Sequence, residues 1–272
     1  MNMASSYSRV WAETDVTFYY YMTISLITPV WNNAASIKHC LDSIAFQTVK
    51  CQHIVVDGAS NDGTMNVLSR YKSAGATVIS EADKGMYDAI NKGLQKVTGD
   101  IIGVLNSDDF YTDNTVLRDV LDAFENPATE ACYGDLLYVD RRDTSKVTRT
   151  WKSGPYDQKK FYAGWMPPHP AFFLRKSLYD RYGGYRLDLG SAADYELMLR
   201  MLLNHNAKTV YVPRVLVHMR NEGMSNASYT SRIRANLNDR KAWRVNNLRP
   251  RPWTLLAKPL RKLGQWLPGD RN

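Results

Sequence analysis

The chain has 272 residues, of which 44% are hydrophobic and 23% charged, and its formal net charge is +8. This composition excludes a disordered tail. A spanning helix is excluded too, because no run of about 18 uncharged apolar residues occurs. The charge is uneven. Residues 1–231 carry 24 Lys+Arg against 25 Asp+Glu, whereas 232–272 carry 11 against 2. The sequence therefore reads as a near-neutral body followed by a basic segment. The three cysteines, Cys40, Cys51 and Cys132, fit neither a disulfide framework nor a zinc spacing. They are expected to be reduced thiols of a cytoplasmic protein.

Residues 1–22 read as an extension without the basic start and apolar centre of a secretory signal. Ile24–Val30 is a β-branched apolar run of the kind a strand buried on both faces needs. Asn33–Phe46 follows with Ile37, Leu41 and Ile44 on one helical face. His53–Asp57 predicts a second strand, Met65–Tyr71 a helix, Ala76–Ser80 a third strand, and Met86–Val97 an amphipathic helix. Ile101–Leu105 predicts a fourth strand running into Asn106–Ser107–Asp108–Asp109. Further on come the β-rich pieces Ala131–Val139 and Val147–Trp151, the Pro-rich Met166–Pro170, the apolar Ala171–Leu174, and a helix over Ala193–Asn204.

Alternating strands and helices at this spacing predict an α/β fold built on a doubly wound, mostly parallel sheet, with a smaller mixed region beyond it. Ligands of such sheets sit beyond the carboxyl ends of the strands. Polar residues collect at those ends: Asn32, Asp57, Glu81 with Asp83, and Asp108 with Asp109. Adjacent carboxylates repel unless a cation or proton lies between them, and Mg²⁺ and Mn²⁺ favour such oxygen ligands. Asp108–Asp109 could equally form a turn, but Asp57 and Asp83 on neighbouring strands favour a metal. Asp57 could accept hydrogen bonds from a base or ribose. Neither G-x-G-x-x-G nor G-x-x-x-x-G-K-[ST] occurs, which argues against dinucleotide and P-loop sites. His169, fixed between prolines, is a candidate for a phosphate-side role. His39, His53, His205 and His218 look incidental. Asp194 and Glu196 open a helix, where negative charge is favourable whether or not it is used in chemistry.

Together, the segments ISLITPVWNN, VVDGASNDGT, EADKGMYDAINKGL, LNSDDF, HPAFF and SAADYELMLRM resemble the inverting family-two glycosyltransferases of the GT-A fold, over roughly residues 23–226. Among these the chain is similar to the bacterial enzymes of polysaccharide and O-chain synthesis. The resemblance implies that Pro29, Val30 and Trp31 line the nucleotide base, that Asp57 hydrogen-bonds it, and that Asp83 faces the nucleotide. It implies Asp108 near the ribose and Asp109 on Mn²⁺ or Mg²⁺, in a motif reading Ser107–Asp108–Asp109. Asp194 matches the general base, although Ala193 stands where the family usually has a first carboxylate. His169 falls near the acceptor or the diphosphate. The implied reaction moves a sugar from a nucleotide-sugar donor, a UDP-sugar for preference, to a hydroxyl of a saccharide or lipid-linked acceptor.

Residues 227–272 form the basic segment. Trp253, Leu256, Leu260, Leu263 and Leu267 recur at helical spacing with Lys258, Arg261, Lys262 and Gln265 between them, interrupted by Pro259. This pattern fits a helix lying on an anionic membrane surface, which would place the protein on the inner face of the cytoplasmic membrane. A helix packed on the body is the plainer alternative, and no nucleic-acid motif accompanies the charge. Two rival functions stand against the transferase. A sugar-nucleotide pyrophosphorylase would want a Gly-rich basic loop where TPVWNNAAS stands. A non-catalytic nucleotide- or nucleic-acid-binding protein would use the basic segment for affinity.

Overall fold

A computed structural model describes residues 22–221, 229–255 and 257–258. Its first half is the expected alternation. Strands β1 (Ile24–Val30), β2 (Gln52–Asp57), β3 (Thr77–Ser80) and β4 (Ile101–Val104) are separated by helices α1 (Ile37–Ala45), α2 (Thr64–Ser73) and α3 (Met86–Leu94). All seven residues of β1 are buried, which explains why the run is apolar without alternation. Successive side chains serve opposite faces of the sheet. Leu26 joins the core cluster that contains Phe173 and Leu117, and Ile27 the one that contains Ile90 and Phe172. A fully buried aliphatic side chain of this kind contributes about 1.5–3 kcal/mol.

The second half adds β5 (Phe110–Tyr111), α4 (Val116–Ala123), β6 (Ala131–Val139), β7 (Val147–Trp151), α5 (Lys159–Tyr162), β8 (Phe172–Arg175), α6 (Lys176–Tyr182), α7 (Ala193–Met198), β9 (Thr209–Arg220) and α8 (Tyr229–Val245). The sheet runs β3-β2-β1-β4-β8-β6-β9-β5, with β7 on β6. The pairings among β1 to β4 are parallel, whereas β8 is antiparallel to both β4 and β6. The strand order reverses at β1, with β2 on one side and β4 on the other, and this is where a doubly wound sheet opens its ligand crevice. The parallel register lines up the strand ends: Val30 lies opposite Asp57, and Asp57 opposite Ser80.

The helix expected over Ala193–Asn204 is α7 continued by a π-helical stretch, Leu199–Asn204. The described start of the basic segment is part of the body. Ala242 and Trp243 of α8 are fully buried, and the Trp243 indole donates to the Tyr195 hydroxyl at 2.9 Å. Gly164 adopts φ 77°, and a Cβ there would lie 2.5 Å from the Lys258 backbone nitrogen, so the chain passes directly over it. Trp243 thus packs into the body. Nearly all of the 1–22 extension, and Leu256, Pro259, Leu260, Leu263 and Leu267, lie outside the described residues.

Candidate active site

The loop after β1 carries the first functional side chains. Trp31 is 58% exposed, leaving its ring face available, while Val30 is buried with its carbonyl accepting from Gly58 N. Asn32, at φ 47°, donates its N–H to the Ser60 hydroxyl, and its side-chain oxygen accepts from Asn61 N. These bonds tie the turn after β1 to the turn after β2. Pro29 is buried within β1.

Asp57 ends β2. Its carboxylate is fully buried and accepts from the Ser80 hydroxyl at 2.6 Å and from Ser60 N at 3.1 Å. A strand-end carboxylate beside a serine-bearing turn satisfies itself locally, as Asx motifs do. Asp57 therefore frames the loop, and Asp83 is a partly exposed carboxylate beside it. The partly exposed Asp83 accepts from Gly85 N at 2.7 Å, and its Oδ2 sits 2.5 Å from where a Gly58 Cβ would be. Only a residue without Cβ lets that carboxylate rest over the turn.

The Asn106–Asp109 turn is held from three sides. Asn33 donates to the Ser107 hydroxyl at 2.9 Å, and Cys40 Sγ donates to the Asn106 carbonyl at 3.4 Å. Arg220, at the end of β9, donates one guanidinium nitrogen to the Asp108 carbonyl and bonds His39 Nδ1 at 2.7 Å with another. His39 stacks on Phe110 with ring centroids 4.0 Å apart, and Phe110 meets His218 edge-on. His39 and Arg220 thus support the motif, which sequence spacing could not reveal because β9 lies so far along the chain.

Burial separates the two carboxylates. Asp108 is partly exposed, but Asp109 is fully buried, and burial together with the Asp108 charge pushes its carboxyl well above the ordinary range. Asn106 donates to Asp109 Oδ2 at 3.1 Å. Among the described residues Asp109 Oδ1 and Asn106 Oδ1 are buried oxygens without a hydrogen-bond partner. Orphaned oxygens beside a second carboxylate fit a hard divalent cation. No group of three or more His, Cys, Asp or Glu side chains forms a metal cage among the described residues, and Mg²⁺ commonly takes its remaining ligands from water and substrate phosphates.

A third cluster joins the donor-side helix to the other half of the sheet. Burial, and the charge of nearby Asp194 in the first turn of α7, push the Tyr87 hydroxyl in the first turn of α3 well above its ordinary pKa. The Tyr87 ring stacks on Tyr185 at 5.5 Å, and the Tyr185 hydroxyl lies 2.9 Å from His169 Nε2. Asn91 of α3 clamps the Tyr185 backbone, donating to its carbonyl and accepting from its N–H, both at 2.8 Å. Burial lowers the His169 pKa and keeps the ring neutral, while Asp194 pulls the other way. Asp194 itself stays partly exposed, accepting from Tyr195 N at 2.7 Å. Glu196, two residues on, is only 1% exposed. It forms a bidentate ion pair with Arg200 (both 2.9 Å) and accepts from Asn246. Arg200 also caps the carbonyls of Tyr182, Gly183 and Gly184. Of the two acids opening α7, Glu196 is occupied structurally and Asp194 is available.

The sheet order, with acidic side chains gathered at the ends of the parallel strands, defines an α/β fold whose ligand crevice opens at β1. Residues 25–183 match Glycosyl transferase family 2. A glycosyltransferase of Mycobacterium tuberculosis is 34% identical over 186 residues, covering 66% of this chain and 69% of that protein. A PGL/p-HBAD biosynthesis glycosyltransferase of Mycobacterium bovis is 31% identical over 209 residues, covering 74% and 78%. The chain belongs to glycosyltransferase family 2 and is a glycosyltransferase. Solved structures agree on the GT-A fold. TarS of S. aureus, in complex with UDP-GlcNAc, superposes with TM-score 0.63 at 18% identity, over 83% of this chain and 70% of that one. A Pyrobaculum calidifontis mannosyltransferase in complex with GDP-Man and Mn²⁺ gives 0.61 at 18% identity, over 96% and 85%.

Proposed function

We propose that the protein is an inverting transferase that moves a sugar from a nucleotide-sugar donor to a hydroxyl of a saccharide or lipid-linked acceptor, in the synthesis of cell-surface polysaccharide or glycolipid. The observation that carries this reading is the partly exposed Asp194 carboxylate of the second half, near enough to Tyr87 to raise its pKa and so set against the helix that follows Asp83. Supporting it are the donors named in the TarS and mannosyltransferase structures and the PGL/p-HBAD biosynthesis named for the M. bovis relative.

In this reading Trp31 offers its exposed face to the base and Asp83 its carboxylate, with Asp57 holding the turn beneath them. Asp108 and Asp109, with Asn106, would hold Mn²⁺ or Mg²⁺. When bound, such an ion neutralises charge on the diphosphate leaving group. Asp194 removes the proton from the acceptor hydroxyl as that oxygen bonds to the anomeric carbon. The bond from that carbon to the diphosphate oxygen breaks, and the nucleoside diphosphate leaves on the opposite face. One displacement inverts the centre and requires no second nucleophile. The neutral His169, held by Tyr185, lines the acceptor side without adding charge beside the base.

Asp83→Ala tests the donor side. Titration of UDP and GDP is expected to show affinity lowered about tenfold, the loss of one charge-assisted hydrogen bond. Unchanged affinity for both would remove Asp83 from the donor site. A peripheral location on the inner face of the cytoplasmic membrane suits a lipid-linked acceptor, and no described helix is long and apolar enough to cross a membrane.

A further inference from the structure

Beyond the catalytic cleft, positive charge collects on the outer face of α8 and the turn that follows it. The inner face of α8 is fixed by the buried Ala242, Trp243 and Asn246. Helical periodicity then turns Leu237, Arg240 and Arg244 outward, and all three are exposed. Arg249 and Arg251 follow on the Pro250–Pro252 turn. The four arginines line an open cleft of about 680 Å³ whose floor is Leu248 and Leu255.

The nearby acids do not cancel this charge. Asp188 is paired with Arg186 and Lys241, and Asp239 with Lys258 at 2.8 Å. Among the described residues Arg240, Arg244 and Arg249 have no acidic partner. Arg251 stacks between Tyr162 and Trp253, its guanidinium carbon 5.9 and 5.7 Å from their ring centroids. Two large apolar side chains of the same helix and turn are exposed, Leu237 at 59% and Trp253 at 54%. Convergent guanidinium forks beside an exposed indole and leucine suit a phosphate set at an apolar boundary. Arginine binds phosphate oxygens bidentately, and Trp settles at the level of lipid headgroups.

We infer that this arginine cleft binds the phosphates of anionic phospholipids and docks the α8 face on the membrane. The inference rests on the membrane-side acceptor proposed above and gives it a site. The same face communicates with the acceptor side of the catalytic cleft. Tyr162 packs on Trp243 at 5.1 Å, and Trp243 bonds Tyr195, the neighbour of Asp194. A headgroup in the arginine cleft would thus place the base-bearing helix close to the bilayer surface. The occupant is assigned to lipid because the apolar flank has no use in binding a free anion.

The test uses the full chain, vesicles of phosphatidylcholine with and without phosphatidylglycerol, and the triple variant Arg240→Gln, Arg244→Gln, Arg249→Gln. Wild type is expected to float with the anionic vesicles and not with pure phosphatidylcholine. The triple variant should bind the anionic vesicles on the order of 100-fold more weakly, with unchanged thermal unfolding and unchanged nucleotide affinity. Trp253→Ala should weaken vesicle binding while leaving the response to charge intact. Equal binding of wild type and triple variant, no binding by wild type, or preference for RNA over vesicles at equal phosphate would each overturn the inference. Loss of vesicle binding with nucleotide-sugar turnover intact would leave the transferase reading standing. Intact vesicle binding without turnover would reject that reading and keep the cleft.

Discussion

Asp83 lies directly over Gly58, its Oδ2 2.5 Å from where a Cβ on that glycine would sit. Two turns, after β2 and after β3, thereby share one space, and the carboxylate can occupy it because the glycine leaves it open. Gly58→Ala is expected to displace Asp83 and to lower affinity for the donor nucleotide about tenfold, close to the effect of Asp83→Ala itself. Binding titrations of both variants and their double mutant check this. Equal effects that do not add show that the alanine acts through Asp83, and additive effects would separate the two.

Glu196 and Arg200 form a buried, bidentate ion pair, and Arg200 also caps three backbone carbonyls. Removing one partner of a buried pair strands the other charge. Arg200→Met is expected to cost about 3–5 kcal/mol in denaturant unfolding. Donor affinity of the fraction that still folds should be unchanged, because neither residue faces the donor side.

Asp109 is expected to show the opposite balance. Its buried carboxyl has its pKa raised, so the folded chain binds that proton more tightly than the unfolded chain does. The resulting stability is present at low pH and is lost as pH rises above the unfolded value near 3.8. At neutral pH Asp109→Asn should therefore unfold at the same or a higher temperature than wild type. Wild type should gain thermal stability from Mn²⁺ with UDP or GDP, and the variant should not. A variant that is clearly less stable without metal would make Asp109 an ordinary structural partner.

His53 sets an acid limit. Burial beside β1 lowers its pKa from 6.5 to about 4, and its Nε2 lies 3.0 Å from the Thr28 hydroxyl. Between those pH values the unfolded chain binds the proton and the folded chain does not. Stability is thus full above about pH 6.5 and falls as pH drops toward 4, by up to about 3 kcal/mol. His169, shifted in the same direction, adds to the slope. Denaturant unfolding across this range should show the loss, and His53→Gln should flatten it.

The parallel half of the fold was legible because β1 and β2 are buried strands of β-branched residues between clear turns, and the expected bounds of Ile24–Val30, Ala131–Val139 and Val147–Trp151 are those observed. The carboxylates at the strand ends were legible for the same reason, since a parallel sheet gathers successive strand ends at one edge. Which carboxylate faces outward was not legible. Asp57 is turned inward by Ser80 and Ser60, and Asp109 is buried behind Asp108. Those outcomes depend on partners contributed by other elements. The roles of Arg220, His39, Tyr87, Asn91 and Tyr185 were not legible because each acts on a residue distant in sequence, although the aromatic in KGMYDA was a signal in plain view. The packing of Trp243 was hidden by the surrounding charge. Removing the basic segment whole would take this buried indole with it, so point variants are the sounder probe.

The most direct measurement is transfer by Asp194→Asn beside its donor affinity. Release of nucleoside diphosphate is followed with a panel of UDP- and GDP-sugars, Mn²⁺, and a saccharide acceptor or water. Wild type is expected to consume at least one donor. Asp194→Asn should bind that donor within about threefold of wild type and transfer the sugar about 10²–10⁴-fold more slowly, the contribution of a positioned base. Transfer at the wild-type rate would contradict the assignment of Asp194 as the base that activates the acceptor.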